Sequence, residues 1–188
     1  MLKRFENKVV LVTASSTGIG YAISERLAQE GADVIISSRK ESNVNEAVQK
    51  IKAQGLKAHG FPCNVGKQED RDKLREFIEK KFGRLDVLVP NAAVSLHFGL
   101  ALDTPEKAYD KMFDVNVKSI FMMIKEYIDL VKKSPTGNIC ITSSYTAYSN
   151  SNVIGIYGVT KTTLLGLTKM LATELYHENV RVNCVCPG

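Results

Sequence analysis

Three side chains stand at a spacing that can do proton-transfer chemistry on a carbonyl: Ser144, Tyr157 thirteen residues later, and Lys161 four residues beyond that. If Tyr157 and Lys161 share a helix, positions i and i+4 stand on one face, about 5–6 Å apart at Cβ. A phenol titrates near about 10 and is a poor acid or base at neutral pH. An ammonium held within about 4–6 Å favours the phenolate, so the expectation is a Tyr157 phenol lowered into a usable range. Ser144 follows the apolar run Asn138-Ile139-Cys140-Ile141-Thr142, which reads as a buried strand. Its hydroxyl can then meet the phenol over a substrate carbonyl. Tyr-x-x-x-Lys also recurs by chance, so the rest of the chain must supply its context.

A second set of residues suits an anion. Thr13-Ala14-Ser15-Ser16-Thr17-Gly18-Ile19-Gly20 joins an apolar β run, Lys8 to Thr13, to a helical pattern beginning at Ile19. Backbone N–H groups and the positive end of a helix dipole converge at such a junction and can hold a pyrophosphate. Gly18 lets the chain pass close to phosphates, and Gly20 lets helix and strand approach closely. An ordinary tight loop is the alternative. At the end of the second strand, where a carboxylate would hold the ribose 2′-hydroxyl of NAD, the residues are Ser37-Ser38-Arg39-Lys40. No acid repels a 2′-phosphate there, and Arg39 can pair with it while stacking on adenine. This favours NADP(H) over solvated loop charges.

The elements that must position these groups alternate strictly. Strands are predicted over 8–13, 32–37, 57–62, 85–89, 138–142 and 180–185. Helices are predicted over 19–30, 42–54, 68–82, 105–133 with a break near Asp114, and 157–178. Such alternation demands right-handed crossovers, a parallel sheet and helices on both faces. No linker or repeat divides residues 1–188, which read as one dinucleotide-binding domain.

The 188 residues are 44% hydrophobic and 24% charged, enough for one real core. A net charge of +5 without a basic block argues against nucleic acid and is compatible with an anionic small ligand. No apolar window can span a membrane, and the N-terminal residues lack the apolar region of a secretory signal. Cys63, Cys140, Cys184 and Cys186 have neither disulfide nor metal-ligand spacing and read as buried small residues in a reducing compartment; no metal is expected.

With these motifs in this order, the chain resembles the short-chain dehydrogenase/reductase family over essentially its whole length. The matching features are the Thr13 to Gly20 loop, Asn91-Ala92-Ala93, Asn116 within Asp114-Val115-Asn116-Val117, Ser144, Tyr157, Lys161, and Arg181-Val182-Asn183 leading to Pro187-Gly188. The phrases at 12–15, 37–40, 91–94 and 161–169 are similar to the family's NADPH-dependent carbonyl and retinal reductases. The resemblance implies an α/β, Rossmann-type doubly wound parallel sheet of order 3-2-1-4-5-6, with a seventh strand and a substrate-covering loop falling past Gly188. The chain is therefore expected to be C-terminally incomplete.

The resemblance also implies roles. Tyr157 is the proton donor, Lys161 lowers its pKa and binds the nicotinamide ribose, Ser144 orients the carbonyl, and Asn116 holds a water leading to Lys161. Thr13, Ser15, Ser16, Thr17, Gly18, Ile19, Gly20, Ser38, Arg39, Lys40, Asn64, Val65, Asn91, Ala92, Ala93, Tyr157, Lys161, Pro187 and Gly188 form the cofactor-binding set. Asn64 stands where an adenine-contacting Asp is usual. Ala14 and Ala93 replace glycines; the Ala14 methyl is tolerable if its φ stays negative. A small apolar carbonyl or alcohol is the implied substrate, met by Ser95, Leu96, His97, Phe98, Thr146, Ala147, Tyr148 and Val153. A homodimer or homotetramer built on the two long helical stretches is implied, in the cytoplasm, with a peroxisomal or mitochondrial address also open. The alternative is a non-catalytic nucleotide-binding or scaffolding homologue. A sugar-nucleotide epimerase fits less well, because Gly18-Ile19-Gly20 lacks the Gly-x-x-Gly-x-x-Gly spacing.

Overall fold

The computed structural model describes residues 3–149 and 153–188. Residues 1–2, part of the N-terminal reading, and 150–152, inside the Ser144 to Lys161 stretch, lie outside the described residues.

The apolar runs form a six-stranded, all-parallel sheet. In chain order the elements are β1 (Val9–Thr13), α1 (Gly18–Gln29), β2 (Asp33–Ser37), α2 (Glu41–Lys52), β3 (Ala58–Gly60), α3 (Gln68–Phe82), β4 (Val87–Val89), α4 (Glu106–Phe113), α5 (Ser119–Lys132), β5 (Asn138–Thr142), α6 (Tyr157–Glu174) and β6 (Arg181–Val185). The strands lie in the order β3-β2-β1-β4-β5-β6, as expected. β1 is the centre, paired in register from Val9 with Asp33 to Thr13 with Ser37 on one side and from Val10 with Val87 to Val12 with Val89 on the other.

Because side chains alternate along a strand, β1 feeds two cores. Val9 and Leu11 pack with Ile35, Leu88 and Ile139 against Leu74, Ile78, Ile124 and Leu164 of α3, α5 and α6. Val10 and Val12 pack with Val34 and Ile36 against Ala28, Val44, Ala47 and Ile51 of α1 and α2. Each fully buried aliphatic side chain contributes about 1.5–3 kcal/mol, so helices are held to both faces. A partly buried ion pair locks α3 to α5: Arg71 Nε and Nη2 each donate to Glu126 at 2.8 Å. The fully buried Tyr127 hydroxyl donates to Arg71 O at 2.7 Å.

Several boundaries are shorter than the sequence suggested. β4 begins at Val87, not Leu85, because the Asp86 carboxylate turns inward to accept Val9 N–H at 2.8 Å and the Ser134 hydroxyl. β3 keeps only Ala58–Gly60. α6 stops at Glu174, and after a 3₁₀ turn over Tyr176–Glu178 the left-handed Asn179 (φ 55°) redirects the chain into β6. The expected break near Asp114 is a π-helical turn, Asp114–Lys118, between α4 and α5. Single π turns often mark functional sites.

Candidate functional site

The carboxyl ends of β1, β4 and β5 open into a cleft of about 250 Å³ lined by Ala14, Thr17, Ile19, Gly20, Asn91, Ala93, Thr142, Ser143, Tyr157 and Lys161. This is where an open parallel sheet keeps its ligand crevice, beside the strand at which the order reverses.

The β1–α1 loop forms one wall. Ser15 is buried, donates its hydroxyl to Val12 O at 2.6 Å and accepts Ser37 N–H at 2.9 Å, so its side chain stitches β1 to β2. The turn that puts it there takes Ala14 to φ +50°. The condition of a negative φ is therefore not met, and alanine takes the left-handed region here at about 1–2 kcal/mol of strain. Gly18 is also left-handed (φ +57°), and a Cβ there would meet nothing within 4 Å. Gly20 is the reverse case. A Cβ on it would lie 2.5 Å from Ala14 O and 2.8 Å from both Asn91 Nδ2 and Ser15 Cα. Thr17 caps α1 without a side-chain hydrogen bond, so its hydroxyl takes none of the first-turn amides of α1. The buried Thr13 hydroxyl accepts both Asn91 N–H (2.9 Å) and Ala92 N–H (3.1 Å), holding the β4 loop against this wall.

Tyr157 opens α6 and Lys161 follows one turn later, as the spacing predicted. Lys161 is 1% exposed, its Nζ donates to Thr142 O at 2.9 Å and stands 5.6 Å from the Tyr157 ring centroid. Burial lowers its pKa to about 8, against opposing pulls from Cys184 and Cys186. Tyr157, however, is pushed up by burial, not down. The cause is desolvation: burial strips water from the phenol and disfavours its charged form. Ser144 accepts Thr146 N–H at 3.3 Å and is half-buried, outside the residues that line the cleft. Its neighbours Thr142 and Ser143, which the motif reading passed over, line the cleft; their position at the C-terminal end of β5 was the available signal. Ser143 donates to Lys161 O at 2.8 Å, tying strand to helix.

Asn116 sits in the π turn, buried, with its amide fully engaged. It accepts Val94 N–H at 2.7 Å and donates to Val94 O (2.8 Å) and Thr160 Oγ1 (3.0 Å). Its side chain therefore staples the β4 loop to α6, which is the helix-break role rather than that of a free water ligand. Asn64 accepts Gly66 N–H at 3.1 Å, and its own N–H goes to Asp70 at 2.9 Å. The Val65 side chain is buried in the core, and its carbonyl accepts Arg71 Nη1 at 2.8 Å. Arg39 and Lys40 are exposed at the end of β2 and have no ion pair among the described residues. Ser38 O accepts Cys63 N–H at 2.9 Å, and Ser16 is half-buried. Pro187 O accepts Tyr145 N–H at 2.8 Å, bringing Pro187 and Gly188 to the Ser144 segment.

None of the candidate substrate residues is among the described residues that line the cleft. The β4 loop and the segment before α6 meet in a bridge between Gly99 and Ile154. Phe98, Tyr148 and Val153 are largely exposed, whereas Thr146 and Ala147 are buried. His97 contacts Leu100 O at 3.0 Å, so it positions the loop and does not face the phenol in any described contact. Cys63 is buried, but Cys140, Cys184 and Cys186 are only half-buried, a correction to the uniform burial expected.

The residues fit a nicotinamide dinucleotide. Gly20 lets helix and loop approach closely, Gly20 and Ile19 at the start of α1 line the cleft, and the buried Thr142 hydroxyl has no partner among the described residues.

The profile of the short chain dehydrogenase family matches residues 8–188. The chain belongs to that family, whose members are nicotinamide-dependent oxidoreductases. It is 51% identical over 183 residues to dehydrogenase/reductase SDR family member 4 from Bos taurus, covering 97% of this chain and 66% of that protein. It is also 46% identical to tropinone reductase-like 3 from Erythroxylum coca, covering 99% and 71%. Among solved structures it matches a Pseudomonas aeruginosa RhlG/NADP active-site complex with a TM-score of 0.92 and 28% identity, covering all of this chain and 74% of that one. The chain thus spans about two thirds of the length of the curated relatives it matches. No helix among the described residues is long and apolar enough to cross a membrane.

Proposed function

We propose that the whole protein is an NADPH-dependent reductase of apolar aldehydes and ketones, running reversibly as an alcohol dehydrogenase. The observation that carries this reading is the convergence of Tyr157 and Lys161 with the β1–α1 loop on one cleft. Bound NADPH supplies the hydride. Gly18, Gly20 and the α1 amides receive the pyrophosphate, Asn91, Ala92 and Ala93 flank the dinucleotide, and Arg39 with Lys40 receives the 2′-phosphate. Tyr157 Oη holds the proton that the carbonyl oxygen takes up, and Ser144 orients that oxygen as a hydrogen-bond donor. Lys161 serves the nicotinamide ribose and, once released from Thr142 O, supplies the positive charge that draws the phenol down. The exposed apolar side chains Phe98, Tyr148 and Val153 suit an apolar substrate. A homodimer or homotetramer follows the family habit, with the stacked, outward Tyr109 and Phe113 of α4 available to the contact (ring centroids 4.6 Å apart). Free cysteines suit a reducing compartment, the cytoplasm in the first instance.

The test is a fluorescence titration of the chain with NADPH and NADH. Arg39→Asp should weaken NADPH binding by about tenfold or more while leaving NADH within about twofold, since a charge-assisted bidentate pair is lost only with the former. Equal losses for both cofactors would remove the 2′-phosphate assignment. A second reading, nucleotide binding without turnover, is favoured by the engaged Lys161 and the raised Tyr157 phenol. NADPH binding with no carbonyl-dependent oxidation by the whole protein would establish it.

A further inference from the structure

Cys184 and Cys186 are positions i and i+2 around the end of β6, so their side chains share the face that packs on α6. Cys184 packs at the edge of the core, while Arg181, Asn183 and Val185 point to the exposed face. Both thiols are half-buried and free. They lie within electrostatic reach of each other and of Lys161: after burial, Cys186 is the next influence on the Cys184 thiol, which also meets Thr168 of α6. The backbone between and beyond them has a separate task. Val185 O, between the two cysteines, accepts Ser143 N–H at 2.8 Å, and Pro187 O accepts Tyr145 N–H at 2.8 Å. These two bonds bracket Ser144. The Cys184 thiol itself reaches Val185 O at 3.8 Å.

We infer that Cys184 and Cys186 form an oxidisable dithiol whose closure to a disulfide releases the segment carrying Ser144. The reaction needs a peroxide as oxidant. One thiolate attacks the O–O bond, forming a sulfenic acid and releasing one water after proton uptake. The other thiol then attacks the sulfenic sulfur, forming the S–S bond and releasing the second water. Two sulfurs are oxidised by two electrons in total, and both peroxide oxygens are reduced. Either thiol can make the first attack, with the other resolving it.

Closure demands a change of backbone. Adjacent same-face positions of an extended strand stand about 6.6–6.8 Å apart at Cα, at the far limit for a disulfide, whose common spacing is about 5.5–6 Å. The Cys184-Val185-Cys186 unit must therefore bend, which rotates the Val185 carbonyl away from Ser143 and shifts Pro187 away from Tyr145. A disulfide made under such strain is easily reduced again, as a reversible switch requires. The consequence for turnover rests on the reductase reading; the thiol chemistry and the release of the segment do not.

The experiment treats the reduced chain with hydrogen peroxide and reads two quantities. Peptide mass spectrometry should find the 182–188 peptide lighter by two hydrogens, with Cys63 and Cys140 still free. Amide exchange at Ser143 and Tyr145 should then accelerate by about tenfold, the loss of one hydrogen bond each, and return on reduction. Cys186→Ala and Cys186→Ser should abolish both effects while leaving exchange in the untreated chain unchanged. Oxidation that stops at acid forms of single cysteines, or that links either one to Cys63 or Cys140, would overturn the inference. So would a closed disulfide that leaves both amides protected. None of these readouts depends on carbonyl turnover, so failure of the reductase reading would be seen separately.

Discussion

Replacing Gly20 by alanine adds one methyl where the structure has no room, and the same change at Gly166 adds one where there is nothing but solvent. At Gly20 the new Cβ would lie 2.5 Å from Ala14 O and 2.8 Å from Ser15 Cα and Asn91 Nδ2. Two of these are backbone atoms, and Ser15 is fixed by hydrogen bonds across β1 and β2. Asn91 is fixed by Thr13, to whose carbonyl its amide donates at 3.1 Å. The loop must therefore move as a unit, which costs about 2–3 kcal/mol as overpacking. For a chain of this size each kcal/mol shifts Tm by roughly 2–4 °C, so Gly20→Ala should lower Tm by roughly 4–12 °C. Gly166, exposed inside α6, meets nothing within 4 Å. Gly166→Ala should raise stability by about 0.5–1 kcal/mol through helix propensity alone. Circular dichroism melts of both variants and the wild type measure the pair under one condition. Gly20→Ala within about 1 °C of wild type would refute the close approach of loop and helix, and with it the reason that the cleft has its shape.

Other outcomes follow from the same geometry. A lysine lowered from 10.5 to about 8 carries an ammonium that folding disfavours; the difference is about 3 kcal/mol below the folded value. Lys161→Met should thus gain about 1–2 kcal/mol at pH 7, after loss of the bond to Thr142 O. Between pH 8 and 10.5 the unfolded chain holds a proton that the folded chain has lost, so wild-type stability rises with pH and the gap should close. Urea melts across that window check it, and a constant gap would refute it. Glu126→Ala strands the Arg71 guanidinium, whose side chain is 6% exposed, and should cost about 3 kcal/mol, more than Arg71→Met, which removes the charge itself. Equal losses in denaturant melts would contradict that asymmetry.

A parallel sheet with helices on both faces was legible because apolar runs alternate with helical periodicity, whereas the strand order came with the family resemblance. The helix break near Asp114 was legible as well, though its π-helical form was not. The condition set for Ala14, that its methyl is tolerable while φ stays negative, is not met, since the turn that sends the Ser15 hydroxyl to Val12 O and Ser37 N–H takes Ala14 to φ +50°. The sequence expectation failed for the Tyr157 phenol, because helical spacing places the ammonium nearby without saying how deeply the phenol is buried. The Asn116 amide could be located from its motif, but its three bonds join residues 22 and 44 positions away. Contacts over such separations belong to the fold and leave no local pattern. The same holds for Thr142 and Ser143, ordinary residues that gain their place only because β5 ends at the cleft.

The most direct test is a comparison of Tyr157→Phe with wild type in the whole protein, separating NADPH dissociation from turnover of an aromatic ketone. The phenyl ring keeps the wall of the cleft and loses only the proton-bearing oxygen. NADPH affinity should stay within about twofold, while kcat falls by about 10²–10⁴-fold, the range of a general acid. Wild-type turnover by Tyr157→Phe would contradict the role given to the phenol, and absence of NADPH binding in the wild type would contradict the cleft itself.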